Sequence, residues 1–212
     1  MRKPLLNHLD EMISSRTVLE HPFYLAWSSG KLTMESLVGY SKEYFQWVKS
    51  VPVFVNRLVP LSPKALFQAV KENAAEEASH IPLWEDFAAS LGISTKEIHS
   101  HIPLSKTQEA ISLFLSSSYE FEAGAAAMYA FEKEIPAIST TKIEGLKVFY
   151  GIHDERSLEY FEEHKEVDIA HAEAWAKILL HSQTEEKRLV EQADRSLNAQ
   201  HLLLDGCYEA YC

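Results

Sequence analysis

The chain has 212 residues, 46% of them apolar, with seven Gly, eight Pro and a net charge of −11 from 31 acidic and 20 basic side chains. That length carries one substantial core, and so little glycine and proline excludes a loop-rich or disordered chain. A surface this acidic repels phosphate, which excludes nucleic acid as an expected partner and gives no support for binding an anionic membrane.

Apolar residues recur at three- and four-residue spacing almost throughout, with no convincing alternating strand, so an all-α bundle in a single domain, 1–212, is expected. A first helix covers Pro4 to Leu19, and a short segment, His21 to Ser29, is closed by Gly30 as a C-terminal cap. Thr33 opens a long helix to about Val59, with a kink at Pro52. Ser62-Pro63 reads as the start of a helix running to Leu91 and Gly92, bent or broken at Pro82, and Ser94 to Glu97 reads as a capping box. Helices follow at Ser105 to Ser117, Tyr119 to Glu134, Ile138 to Phe149, Arg156 to His181 and Thr184 to Ala210, which makes seven to nine segments. No apolar run approaches the roughly 20 residues of a membrane helix, and no secretory signal is visible in Met1 to Asp10. The only cysteines, Cys207 and Cys212, stand at the extreme C-terminus. They cannot build a disulfide framework, the expected location is the cytoplasm, and a nucleophilic cysteine in the core is not expected.

The chemistry concentrates on three helices. In His164-x3-Asp168-x2-His171, offsets of four and seven at about 100° per residue bring all three side chains to one helix face. Phe161, Trp175 and Ile178 share that face, while Glu162, Glu163, Lys165, Glu166, Glu173 and Lys177 take the other. An ionised carboxylate buried between two imidazoles needs compensation, which a metal supplies directly; the alternative is a hydrogen-bonded cluster that only orders the core. On the helix after Ser62, the stripe Leu66, Ala69, Asn73, Glu76, His80 and Leu83 favours Glu76 with His80. Glu77-x-x-His80 competes, with the spacing of ferritin-like di-metal proteins, although a glutamate in an acidic run is ordinarily solvated. Glu132 stands in a stripe with Phe121, Ala125, Met128 and Ile135, after a small-residue run from Gly124 to Ala127 that admits a close neighbour. Three carboxylates and three histidines suit two metal ions with open positions, and ligation this rich in carboxylate favours iron or manganese over structural zinc.

These residues resemble the heme-oxygenase-like di-metal oxidases and, within them, the CADD-like group named for a chlamydial protein associating with death domains. The resemblance spans nearly the whole chain. It is carried by Glu20-His21-Pro22-Phe23-Tyr24 with Trp27, Gly30-Lys31-Leu32-Thr33, Glu76-Glu77 with His80 and Leu83-Trp84, Ala127 to Glu132, Ile135-Pro136, Lys142-Ile143-x-Gly145-Leu146 and Tyr160 to His171. It implies a seven-helix heme-oxygenase-like bundle without heme, two metal ions as Fe/Fe or Fe/Mn, O2 and an external reductant as co-substrates, and a homodimer. It further implies 4-aminobenzoate, for folate synthesis, as the product, with Tyr24 supplying the ring, Lys142 the amino nitrogen, and Tyr40 a radical-transfer position. Two departures stand out: the gap from glutamate to His80 is about one helical turn shorter than the family pattern, and Phe131 replaces an expected tyrosine. On the residues alone Tyr24 packs in an aromatic cluster and Lys142 is solvated; the resemblance reverses that order. The competing functions are an oxygenase of the same family acting on an external fatty acid or amino acid, and a metal-free helical interaction module. A thiamin-salvage enzyme is disfavoured for want of a core cysteine, and a cofactor-free oxidase by the complete ligand set.

Overall fold

The computed structural model describes residues 2–212, and among them every regular element is helical. There are ten α-helices: α1 (Lys3–Ser15), α2 (Pro22–Ser28), α3 (Met34–Leu58), α4 (Phe67–Ser90), α5 (Thr95–Ser100), α6 (Ser105–Leu115), α7 (Phe121–Glu132), α8 (Ile135–Phe149), α9 (Glu155–His181) and α10 (Glu186–Tyr211). The all-α expectation holds, and the count exceeds seven to nine by one. None of these helices is long and apolar enough to cross a membrane.

Local chemistry explains the shifted boundaries. The first helix stops at Ser15, and Thr17 caps a 3-10 turn, Val18–Glu20, its hydroxyl accepting the Leu19 N–H at 3.3 Å. Ser62 does not open α4: its hydroxyl donates back to the Val59 carbonyl at 2.7 Å, closing the preceding 3-10 turn, and the helix begins five residues later at Phe67. Only half of the Ser94 capping box forms. Ser94 Oγ accepts the Glu97 N–H at 3.2 Å, while the Glu97 carboxylate is drawn away to Lys42 at 2.6 Å. The reciprocal box forms at Thr33 and Ser36 instead. Pro52 and Pro82 lie inside α3 and α4, each of which continues beyond its proline. Gly30 ends α2 as expected, at φ 66°, a conformation that side chains with a Cβ disfavour.

Helix α7 is the axis of the bundle. It is buried on nearly every side from Phe121 to Glu132, because α9 and α10 pack on it from two directions. Helix α9 also meets α4 and α8, α3 packs on α4, and α10 crosses α6 and α3. The course of α10 corrects the premise that the chain has no core cysteine, though not the expectation that none serves there as a nucleophile. Its last turns still cross the core, so Cys207 is fully buried despite its place five residues from the end, and burial pushes its thiol well above the usual range.

Candidate metal centre

Six buried titratable side chains converge where α4, α7 and α9 meet: Glu77, His80, Glu132, His164, Asp168 and His171. Five of these are the residues chosen from the sequence; the sixth is a correction. The buried stripe of α4 runs Val70, Ala74, Glu77, His80, Trp84 and Phe87. The neighbouring stripe that favoured Glu76 is apolar for another reason: Leu66, Ala69, Asn73 and Glu76 line a cavity of about 660 Å³ between α4, α7 and α9. Glu76 therefore keeps 42% of its side-chain surface, against 6% for Glu77.

Glu77 is the hub. Ligand atoms of Glu77, His80 and His164 lie within 4.8 Å of one another, and so do those of Glu77, Glu132 and His171. Glu77 Oε2 is 3.4 Å from His80 Nδ1, and Glu77 Oε1 is 3.5 Å from His171 Nδ1. Asp168 Oδ1 lies 3.7 Å from the same His171 Nδ1. His164 Nδ1 meets the Tyr160 carbonyl at 2.6 Å, so Nδ1 carries the proton and Nε2 is left as an acceptor. The His80 and His164 rings are 4.2 Å apart.

The charges in this pocket are mutually dependent. Burial would raise Glu77, but His171 and His80 hold it down at about 2. Burial, with Asp168 and Glu77 beside it, pushes Glu132 well above the ordinary carboxylate range, and burial lifts Asp168 to about 6. Burial would lower His171, yet Asp168, Glu77 and Glu132 drive it up to about 11. In the metal-free chain the imidazolium of His171 faces Glu77 and Asp168, Glu77 also raises His80 against the effect of its burial, and Glu132 favours its neutral form. His164 goes the other way, lowered by burial and by His80 to about 3, and stays neutral as a ligand nitrogen must.

The donor set fits metal. Both oxygens of Glu132, both nitrogens of His80, Asp168 Oδ2 and His171 Nδ1 are buried without a hydrogen-bond partner. Orphaned groups of this kind each cost on the order of 1–3 kcal/mol, so six in one cluster call for a cation. Imidazole with carboxylate is the ligand chemistry of iron, manganese and zinc, and three carboxylates without thiolate favour the first two.

Beside the centre lies the second group of sequence-chosen residues. Tyr24 on α2, Tyr40 on α3 and Lys142 on α8 are all buried. The Lys142 amine stands 5.7 Å from the Tyr24 ring centre, 5.3 Å from Tyr40, 4.4 Å from Tyr44, 5.8 Å from Trp84 and 5.4 Å from Phe161. Burial alone lowers its pKa to about 7. The solvated reading of Lys142 is overturned.

Residues 38–201 match the family described as iron-containing redox enzymes. The chain belongs to this family. A protein named 4-aminobenzoate synthase from Nitrosomonas europaea is 34% identical over 223 aligned positions, 96% of this chain and 91% of that protein. One of the same name from Chlamydia trachomatis serovar D is 31% identical over 215, 96% of this chain and 88% of that one. A Shewanella denitrificans domain with a heme oxygenase-like fold superposes with a TM-score of 0.84 at 19% identity, covering 100% of this chain and 93% of that one. The fold is heme oxygenase-like, and this member of the family is a redox enzyme with a metal cofactor.

Three aromatics of this redox enzyme's site were given no role from the sequence, although Trp84 and Tyr160 stand in the motifs that carry the resemblance. Tyr160 stacks on His164 with ring centres 4.0 Å apart, Trp84 contacts Tyr160 at 4.7 Å, and Tyr44 contacts Trp84 at 4.7 Å. The signal was there in spacing: Tyr160 precedes His164 by four, Trp84 follows His80 by four, and Tyr44 follows Tyr40 by four. Phe131, where a tyrosine was expected, packs against Trp47 and Phe114 and brings no hydroxyl to the site.

Proposed function

We propose that this enzyme forms 4-aminobenzoate for folate synthesis from its own Tyr24 side chain, with Lys142 as amino donor. Two metal ions, Fe/Fe or Fe/Mn, would be held by Glu77, His80, Glu132, His164, Asp168 and His171, with O2 and an external reductant as co-substrates. The observation that carries this reading is Lys142: a buried amine with a pKa of about 7, 5.7 Å from the Tyr24 ring and beside the carboxylate–histidine cluster. The names of two relatives at 34% and 31% identity support it.

The atoms fit. A tyrosine side chain carries one carbon, Cβ, para to its oxygen. Breaking Cα–Cβ and oxidising Cβ gives the carboxylate; the Lys142 nitrogen displaces the para oxygen, which leaves as water, and the Nζ–Cε bond then breaks with Cε oxidised to an aldehyde at the expense of O2, which releases the amine. Metal bound in the cluster would activate O2 as the oxidant for that cleavage. The chain's own residues do the rest. Burial keeps the Lys142 amine neutral and nucleophilic near neutral pH. The Trp27 indole N–H donates to the Lys142 carbonyl at 3.3 Å, so the helix bearing Tyr24 is bonded directly to the lysine. Gly145 makes room for this contact: a Cβ there would fall 2.5 Å from Trp27 Nε1. Tyr40, fully buried against the same amine, is assigned the electron relay to Tyr24.

A second reading, oxidation of an external small molecule, is favoured by the 660 Å³ cavity, which reaches the centre at His171 and Glu76. Neither Tyr24 nor Lys142 lines that cavity. One experiment separates the two. Metal-free protein is incubated with Fe(II), Mn(II), reductant and O2, then analysed by intact mass, peptide mapping and assay of 4-aminobenzoate. Loss of the Tyr24 side chain, equimolar with product and abolished in Tyr24→Phe, is the expected result. Oxygen uptake with Tyr24 intact overturns the self-consuming reading, and loss mapped to Tyr44, whose ring is nearer Lys142, reassigns the source of the ring.

A further inference from the structure

Glu76 and Glu77 are adjacent on α4, yet they meet opposite edges of one histidine. Glu77 Oε1 and Asp168 Oδ1 approach His171 Nδ1 at 3.5 and 3.7 Å, from inside the cluster. Glu76 Oε2 approaches His171 Nε2 at 3.1 Å, from the cavity side. Nδ1 is buried and lacks a hydrogen-bond partner, whereas Nε2 has one. Glu76 also stands outside both groups of atoms within ligand range of one another.

We propose that Glu76 is a positioning residue: its carboxylate accepts the Nε2–H of His171, holds the ring in plane, and commits Nδ1 to the metal. The inference rests on the reading that the cluster binds metal, and it gives Glu76 a role that a ligand assignment would not. The same logic operates at His164 with the nitrogens exchanged, where the Tyr160 carbonyl takes Nδ1–H at 2.6 Å and leaves Nε2 for coordination. A histidine ligand whose far N–H is bonded to a carboxylate is fixed in tautomer and orientation and is a better donor.

The test is a Mn(II) titration of metal-free wild type and of the variants Glu76→Gln, Glu76→Ala and Glu77→Gln, combined with ¹⁵N–¹H spectra of the histidines in Zn(II)-loaded protein, zinc serving as a diamagnetic probe. Expected for Glu76→Ala is wild-type stoichiometry with affinity reduced about 10- to 100-fold, and a His171 Nε2–H that exchanges rapidly with solvent. Glu76→Gln, whose amide oxygen still accepts, recovers most of the affinity and the protected N–H. Glu77→Gln loses metal outright, since Glu77 belongs to both groups. Wild-type affinity and an unchanged Nε2–H in Glu76→Ala overturn the proposal, as does loss of a whole equivalent of metal in Glu76→Gln, which would make Glu76 a ligand. A wild type that binds no Mn(II) overturns the metal reading beneath it.

Discussion

Lys142 shows how far a single position can depart from what its residue type suggests. A lysine near a helix end is ordinarily solvated, and nothing in the spacing of α8 marks this one as buried; only the family resemblance singled it out. The reason is tertiary: α2 and α3 bring Tyr24, Tyr40 and Tyr44 over a position that α8 alone leaves open. Burial lowers its pKa from 10.5 to about 7. Between those values the unfolded chain holds a proton that the folded chain has released, so this group's contribution to stability rises with pH across that window. Below pH 7 the folded chain must protonate a buried amine, at a penalty on the order of 5 kcal/mol. Lys142→Met in metal-free protein is therefore expected to be more stable than wild type at pH 6, with the difference shrinking steadily between pH 7 and 10.5. Urea unfolding of both proteins across that range checks it, and a pH-independent difference would mean that the amine is not desolvated.

At the scale of helices, legibility depended on whether one stripe or two were apolar. Helix α9 was readable because its two faces differ sharply: His164, Asp168 and His171 sit with Phe161 and Trp175, and charge fills the rest. Helix α4 misled because it has two adjacent apolar stripes, one against the core and one against a cavity, and periodicity cannot distinguish them. The start of α4 was misplaced because a serine hydroxyl can close the turn behind it as well as cap the helix ahead. The pairing of α2 with α8 was beyond the sequence altogether, since it rests on an indole reaching a carbonyl 115 residues away. That contact carries an expectation of its own. Trp27→Phe keeps an aromatic ring but loses the N–H bond to the Lys142 carbonyl, so the amine drifts relative to Tyr24. If Tyr24 is the source of the ring, cleavage continues while nitrogen delivery fails, and the product shifts from 4-aminobenzoate toward 4-hydroxybenzoate. Chromatography of the reaction supernatant measures the ratio; an unchanged ratio would remove Trp27 from the site's geometry. Gly145→Ala, whose Cβ would press on the same indole, is expected to destabilise the fold by about 1–3 kcal/mol.

For the whole molecule, if Tyr24 is the source of the ring, the metal and the loss of that side chain pull stability in opposite directions. Metal-free protein keeps six orphaned polar atoms and a buried cluster of imidazoles and carboxyl groups with no cation between them. Filling the site ties binding to folding, and Mn(II) at a hundred times its Kd is expected to add about 2.7 kcal/mol, read as a rise in Tm that reverses with chelator. Turnover should then do the reverse. Tyr24 is buried to within 3% and packs against Phe23, with a void of about 20 Å³ already bordering it. Cleavage at Cα–Cβ removes the whole side chain from a region where Trp27, Tyr40 and Phe23 are fully enclosed and cannot close in without losing their own contacts. By analogy with large aromatic-to-alanine changes, the spent protein is expected to be about 3–5 kcal/mol less stable than the unreacted chain. The comparison uses chelated samples on both sides, so that metal does not mask the loss. Hydrogen exchange should locate the loosening in α2 and α8 first, because Tyr24 lies on α2 and the Trp27–Lys142 bond ties α2 to α8. A reacted protein of unchanged Tm, with Tyr24 intact by mass, would point to an external substrate, whereas a destabilised one that has lost the Tyr24 side chain would show that each molecule works once.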